Sequence, residues 1–130
     1  MTEFFNPKPS DVRAPGGPYS HGAIVKAGTD LVYTAGQVGE RPDGSVPATI
    51  EEQCDVAYAN LLGVLRAQGL AAKDIIQLHV YVTDRAYREP SSAARVKYLG
   101  DHKPTSTFLI VQGLAHHSLM IEIEAIAAKT

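Results

Sequence analysis

Thr105-Ser106-Thr107-Phe108-Leu109-Ile110-Val111-Gln112 is rich in β-branched and aromatic residues and reads as a strand. A period of two puts Phe108 and Ile110 on one side and Leu109 and Val111 on the other, so both sides are apolar. A sheet built around this strand needs a layer on each face, because a large apolar patch left in water favours association.

The neighbouring segments supply one of those layers. Upstream, Ile76, Leu78, Val80 and Val82 alternate with Gln77, His79, Tyr81 and Thr83, the pattern of a central strand buried on one face. Between the two strands, Asp84 can cap a helix running to about residue 100, with Tyr87, Ala94, Val96, Tyr98 and Leu99 available to pack. Pro90 falls in its first turns or in a short leading helix. Farther upstream, Thr49 and Glu52 form a capping box. Cys54, Tyr58, Leu61, Leu62 and Leu65 then share one helical face, and Gly69 supplies the left-handed residue that ends the helix.

Downstream, a loop over residues 113–118 leads to a last alternating strand over 119–127. Near the start, residues 23–27 and 31–35, split by Gly28-Thr29-Asp30, read as a hairpin. Residues 36–47, with Gly39, Pro42, Asp43, Gly44 and Pro47, read as a loop. Residues 1–18 hold Pro7, Pro9, Pro15, Gly16, Gly17 and Pro18 and read as an irregular arm.

The order strand, strand, helix, strand, helix, strand, strand describes an α+β domain over residues 1–130, with two helices on one face of a mixed sheet. The other face is most cheaply covered by a further copy of the chain. A net charge of −2 with scattered basic residues gives no footprint for a polyanion, so nucleic-acid binding is not expected. No stretch approaches the roughly 20 apolar residues of a membrane span, and no signal-like run opens the chain, so a cytoplasmic location is expected. Cys54 is the only cysteine and reads as a core thiol. His21, His79, His102, His116 and His117 show no His-x-x-x-His spacing, so no metal site is expected.

Three separated stretches then carry a resemblance: Gly17-Pro18-Tyr19-Ser20, Thr34-Ala35-Gly36-Gln37 and Ile121-Glu122-Ile123-Glu124-Ala125-Ile126-Ala127. In this order, with helices between them, they resemble the RidA (YjgF) family over about residues 15–128. The resemblance implies a chorismate-mutase-like fold assembled as a homotrimer, with a central barrel of sheets and small-molecule clefts between subunits. It also implies hydrolysis of reactive enamines and imines to carbonyl products and ammonia, with no cofactor. Matched position by position, Tyr19 is the cleft tyrosine, Gly36 the glycine of close backbone approach, and Glu122 the acid that orients or activates water. His21, just after the first motif, is a candidate proton shuttle.

One segment departs from the pattern. The family carries an arginine shortly after the proline that opens the penultimate strand. Here Pro104-Thr105-Ser106-Thr107-Phe108 puts Ser106 in that place and Phe108 where cysteine is common. Loss of a bidentate, charge-assisted clamp predicts a substrate other than an amino-acid-derived imine. Ser106 and Thr107 would hydrogen-bond a neutral or weakly polar ligand, and Phe108 would make the cleft more apolar. Arg41, Arg85 and Arg88 are candidates for a replacement cation. The alternatives to an enzyme of this type are a non-catalytic small-molecule-binding or chaperone-like trimer and, against the charge balance, an endoribonuclease.

Overall fold

The computed structural model describes residues 2–129. Its elements are β1 (Thr2–Phe5), β2 (Gly22–Val25), β3 (Asp30–Tyr33), β4 (Gln37–Val38), α1 (Ile50–Arg66), β5 (Ile75–Val82), α2 (Arg88–Leu99), β6 (Thr105–Ile110) and β7 (Ile121–Lys129). Thr49 Oγ1 accepts the Glu52 N–H at 3.2 Å and starts α1, as the cap predicts. The Glu52 carboxylate is engaged instead by Arg41 at 3.3 Å. Gly69, at φ +72°, ends the helix, and the Leu70 N–H closes back onto the Leu65 carbonyl at 3.0 Å.

The buried face of α1 carries Ile50, Gln53, Cys54, Ala57, Tyr58, Leu61 and Leu65. Burial pushes the Cys54 thiol up to about 12, so it packs as a neutral side chain. Gln53 is fully buried and acts as a clamp. Its Nε2 donates to the carbonyls of Pro47 at 3.0 Å and Ser118 at 2.8 Å, and its Oε1 accepts the Met120 N–H at 2.8 Å. One side chain thus ties the loop before α1 to the entry of β7.

The main sheet runs β3-β7-β5-β6, with β4 also paired to β7. β5 and β6 are parallel and α2 is the crossover between them; the other pairs are antiparallel. Both helices pack on the face that presents Leu78, Val80, Val82, Ile121 and Ile123. Each fully buried Leu or Ile there contributes roughly 2 kcal/mol of apolar transfer. Asp84 Oδ1 accepts the Ala86 N–H at 2.8 Å and caps a short 3-10 turn, so α2 proper starts at Arg88 and Pro90 sits in its first turn, where a missing N–H is tolerated. Val96 does not join the core as expected and is 58% exposed.

On the opposite face the register forms three rows. Tyr33, Ile126, Gln77 and Thr105 make one, Glu124, His79 and Thr107 the next, and Glu122, Tyr81 and Leu109 the third. No helix of the described residues covers them, and Tyr33 and Leu109 remain 69% and 47% exposed. Phe108 and Leu109 therefore do face opposite ways.

Three expectations need correction. β2 and β3 are not a hairpin: β2 pairs with β1 and β3 with β7, because the turn at Gly28 (φ +85°) hands the chain from one sheet to the other. The arm over residues 1–18 is not irregular throughout, since β1 forms from Thr2 to Phe5 and the Phe5 ring rests on Gly22, where any β-carbon would overlap it. The loop over 36–47 also contains β4. No helix among the described residues is long and apolar enough to cross a membrane.

Candidate functional site

On the open face, β7 holds Glu122 between Tyr81 of β5 and Val38 of β4. The way β3 leads into β4 fixes that carboxylate. Tyr33 pairs with Ile126 and Gln37 with Ile123, so residues 34–36 stand opposite only 124 and 125. The extra residue makes a bulge. Thr34 anchors it, its N–H donating to the Ala125 carbonyl and its Oγ1 accepting the Ala125 N–H, both at 3.0 Å. The bulge lays Gly36 against Glu122, and a β-carbon at residue 36 would overlap Glu122 Oε2. The missing β-carbon at Gly36 thus leaves room for the Glu122 carboxylate.

The two strand glutamates differ in their commitments. Glu124 Oε1 accepts the Tyr81 hydroxyl at 3.0 Å and lies 3.2 Å from His79 Nδ1. The bond to Glu124 holds the Tyr81 phenol above its ordinary range. Glu122 has no side-chain hydrogen-bond partner among the described residues, and it borders a cavity of about 280 Å³ with Tyr81, Leu114 and Glu124.

A second cavity, about 330 Å³, lies on the helix side. Residues 16–19 roof it, Val80, Ser106 and Phe108 of the sheet floor it, and Tyr58 with the Arg88, Ser91, Ser92 and Arg95 stripe of α2 walls it. Arg95 holds the assembly together: Nη1 donates to Ser106 Oγ at 2.8 Å and Nη2 to the Pro18 carbonyl at 2.6 Å. Burial lowers the Arg95 pKa and raises that of the Tyr58 phenol.

The expected site residues therefore fall into two groups. Tyr19, Ser106 and Phe108 meet in the helix-side cavity. Glu122, Gly36 and Thr107 lie on the open face, since Ser106 and Thr107 alternate along β6 and cannot act on the same side. His21 touches the Tyr19 ring edge-on at 5.8 Å, but it does not line the cavity, and its amide donates to Asn6 Oδ1 at 2.9 Å. Of the replacement cations, Arg41 is paired with Glu52, Arg85 is exposed away from the cavity, and Arg88 reaches its rim.

The sequence reading missed Arg95, although a signal was present. Arg88, Ser91, Ser92 and Arg95 recur at i, i+3, i+4 and i+7, a polar stripe on a helix face that packs toward the sheet.

Comparison with known proteins gives the following. The model of the Endoribonuclease L-PSP family matches residues 11–129. An Escherichia coli K12 protein provisionally named reactive intermediate deaminase TdcF is 32% identical over 124 residues, 91% of this chain and 93% of that protein. Among solved structures, YyfB of Yersinia pestis, described as a Rid-family protein of unknown function, superposes with a TM-score of 0.85 at 30% identity and covers 98% of both chains. E. coli TdcF crystallised with bound serine gives 0.73 at 32% identity, covering 91% of this chain and 94% of that one.

Proposed function

The chain belongs to the Endoribonuclease L-PSP family, which includes the RidA/YjgF proteins, and from that premise we propose that it hydrolyses a small enamine, imine or related carbonyl compound in clefts between three copies of itself. The observation that carries the proposal is Glu122: an uncommitted carboxylate, set against Gly36 by the bulge, on the sheet face that no helix of the described residues covers. Further copies laid on Tyr33, Leu31 and Leu109 would remove water from that face. Drying raises the basicity of a carboxylate toward that of a general base. Glu122 and the Tyr19 cavity lie on opposite faces of one sheet, so Glu122 of one copy would pair with the Tyr19 cavity of a neighbouring copy laid along the free edge of β6.

In the proposed reaction a water oxygen bonds to the C=N carbon while Glu122 takes a proton from that water, and the imine nitrogen gains a proton. The carbinolamine that results then loses its C–N bond. The amino group takes a proton as the hydroxyl gives one up, the C–N electron pair leaves with the nitrogen as ammonia, and imine plus water gives carbonyl plus ammonia. An enamine first takes a proton on carbon. Tyr19 would orient the substrate through its hydroxyl. The serine seen in E. coli TdcF supports a ligand of this size. RNA cleavage has less support: the net charge is −2, and Arg41 and Lys97 are already paired with Glu52 and Asp55.

The test is ammonia release from an imine generated in situ, measured against buffer alone. Acceleration is expected; an imine that binds and decays at the buffer rate would leave only a binding protein. Gly36→Ala makes a sharper check. The overlap falls on the end of a flexible side chain that can swing away, so stability should move by less than about 1 kcal/mol. Turnover should nevertheless fall roughly tenfold or more, because the carboxylate is displaced.

A further inference from the structure

The helix-side cavity holds donors and a positive charge that nothing among the described residues answers. Arg95 gives one hydrogen to Ser106 Oγ and one to the Pro18 carbonyl, and both acceptors are uncharged. Its Nε–H is buried with no acceptor. The same holds for the Tyr58 hydroxyl, on a fully buried side chain that lines the same cavity. Neither Arg95 nor Arg88 belongs to any ion pair among the described residues. Arginine cannot relieve this by losing its proton. A half-buried guanidinium whose Nη groups keep hydrogens beyond those given to Ser106 and Pro18, with no counter-ion among the described residues, suits an acceptor that carries negative charge.

We propose that Arg95 is the specificity-determining residue of this cavity and reads the carboxylate of a small ligand, with Ser106 fixing the guanidinium in place. One buried guanidinium balances one negative charge, which suits a carboxylate better than a dianionic phosphate. Phe108, Val80 and Pro18 give the remainder of the ligand an apolar surface. The neutral or weakly polar ligand expected from Ser106 alone therefore gives way to an anionic one, because α2 delivers the cation that position 106 lacks. The inference rests on the hydrolase reading for what happens to the ligand, but not for its binding.

The experiment compares 2-oxobutanoate with its neutral amide by calorimetric titration of the unaltered protein. The acid should bind roughly tenfold or more tightly than the amide. Arg95→Gln, which keeps an amide donor for the Pro18 carbonyl, and Arg95→Ala should each abolish the preference in protein shown by circular dichroism to be folded. Lys97→Ala, on the exposed side of α2, should preserve it, and inorganic phosphate should compete poorly. Equal affinity for acid and amide in the unaltered protein overturns the proposal without any variant, and so does a preference that survives in folded Arg95→Gln. Selective acid binding with no ammonia release would keep this subsite and remove the hydrolase. Hydrolysis of neutral and anionic imines alike would do the reverse.

Discussion

Replacing Glu122 by glutamine should lower kcat/KM for imine hydrolysis by roughly 10²–10⁴-fold, the usual contribution of a positioned general base. Glutamine has the same shape and still presents an oxygen, so it fits against Gly36 but cannot take a proton from water. The side chain is only partly buried and has no hydrogen-bond partner to lose, so stability should stay within about 0.5 kcal/mol of the parent. Glu124→Gln should instead disturb Tyr81 and His79, the two groups its carboxylate holds, and should cost less activity. If the two variants lose activity equally, the assignment of the base to Glu122 is wrong.

The largest effect on stability is expected from Gln53→Ala. The substitution removes a fully buried side chain and strands the Pro47 carbonyl in the interior, with the Met120 N–H and the Ser118 carbonyl left at part-buried positions. Buried groups left without partners cost about 1–3 kcal/mol each, with partial relief from relaxation, so a loss of about 3–4 kcal/mol is expected. For a chain of this size that lowers Tm by roughly 10 °C or more. Gln53→Leu separates hydrogen bonding from packing. It fills the space, yet it should lose most of the same stability; a leucine variant as stable as the parent would show that the clamp contributes little.

The parts of the fold that could be read from sequence are those set by one segment alone. Alternation over 76–83 gives a strand with one buried face wherever that strand is placed, and Thr49 caps a helix through its own hydroxyl. Partner choice is different in kind. Residues 22–25 and 30–33 look like a hairpin locally, but β7 offers β3 a partner and β1 offers β2 another, and these are facts about distant chain. Gln53 shows the same limit: it lies on the apolar stripe of α1, but what it binds is 65 and 67 residues away.

The site divides along similar lines. Gly36 and Glu122 are named by two separate motifs, and their contact depends on the bulge between β3 and β4, which neither motif states. The separation of Ser106 from Thr107 follows from strand alternation and was available in principle. Arg95 stands outside the three motif stretches and outside the penultimate strand. A helix crossing over the sheet delivered it instead.

The proposed hydrolysis depends on the open face being covered by further copies of the chain, and sedimentation equilibrium tests that most directly. At micromolar concentration the account predicts a single species of about three times 13.9 kDa that persists on dilution. A stable species of one chain, with the row of Glu122, Tyr81 and Leu109 left in water, would contradict it.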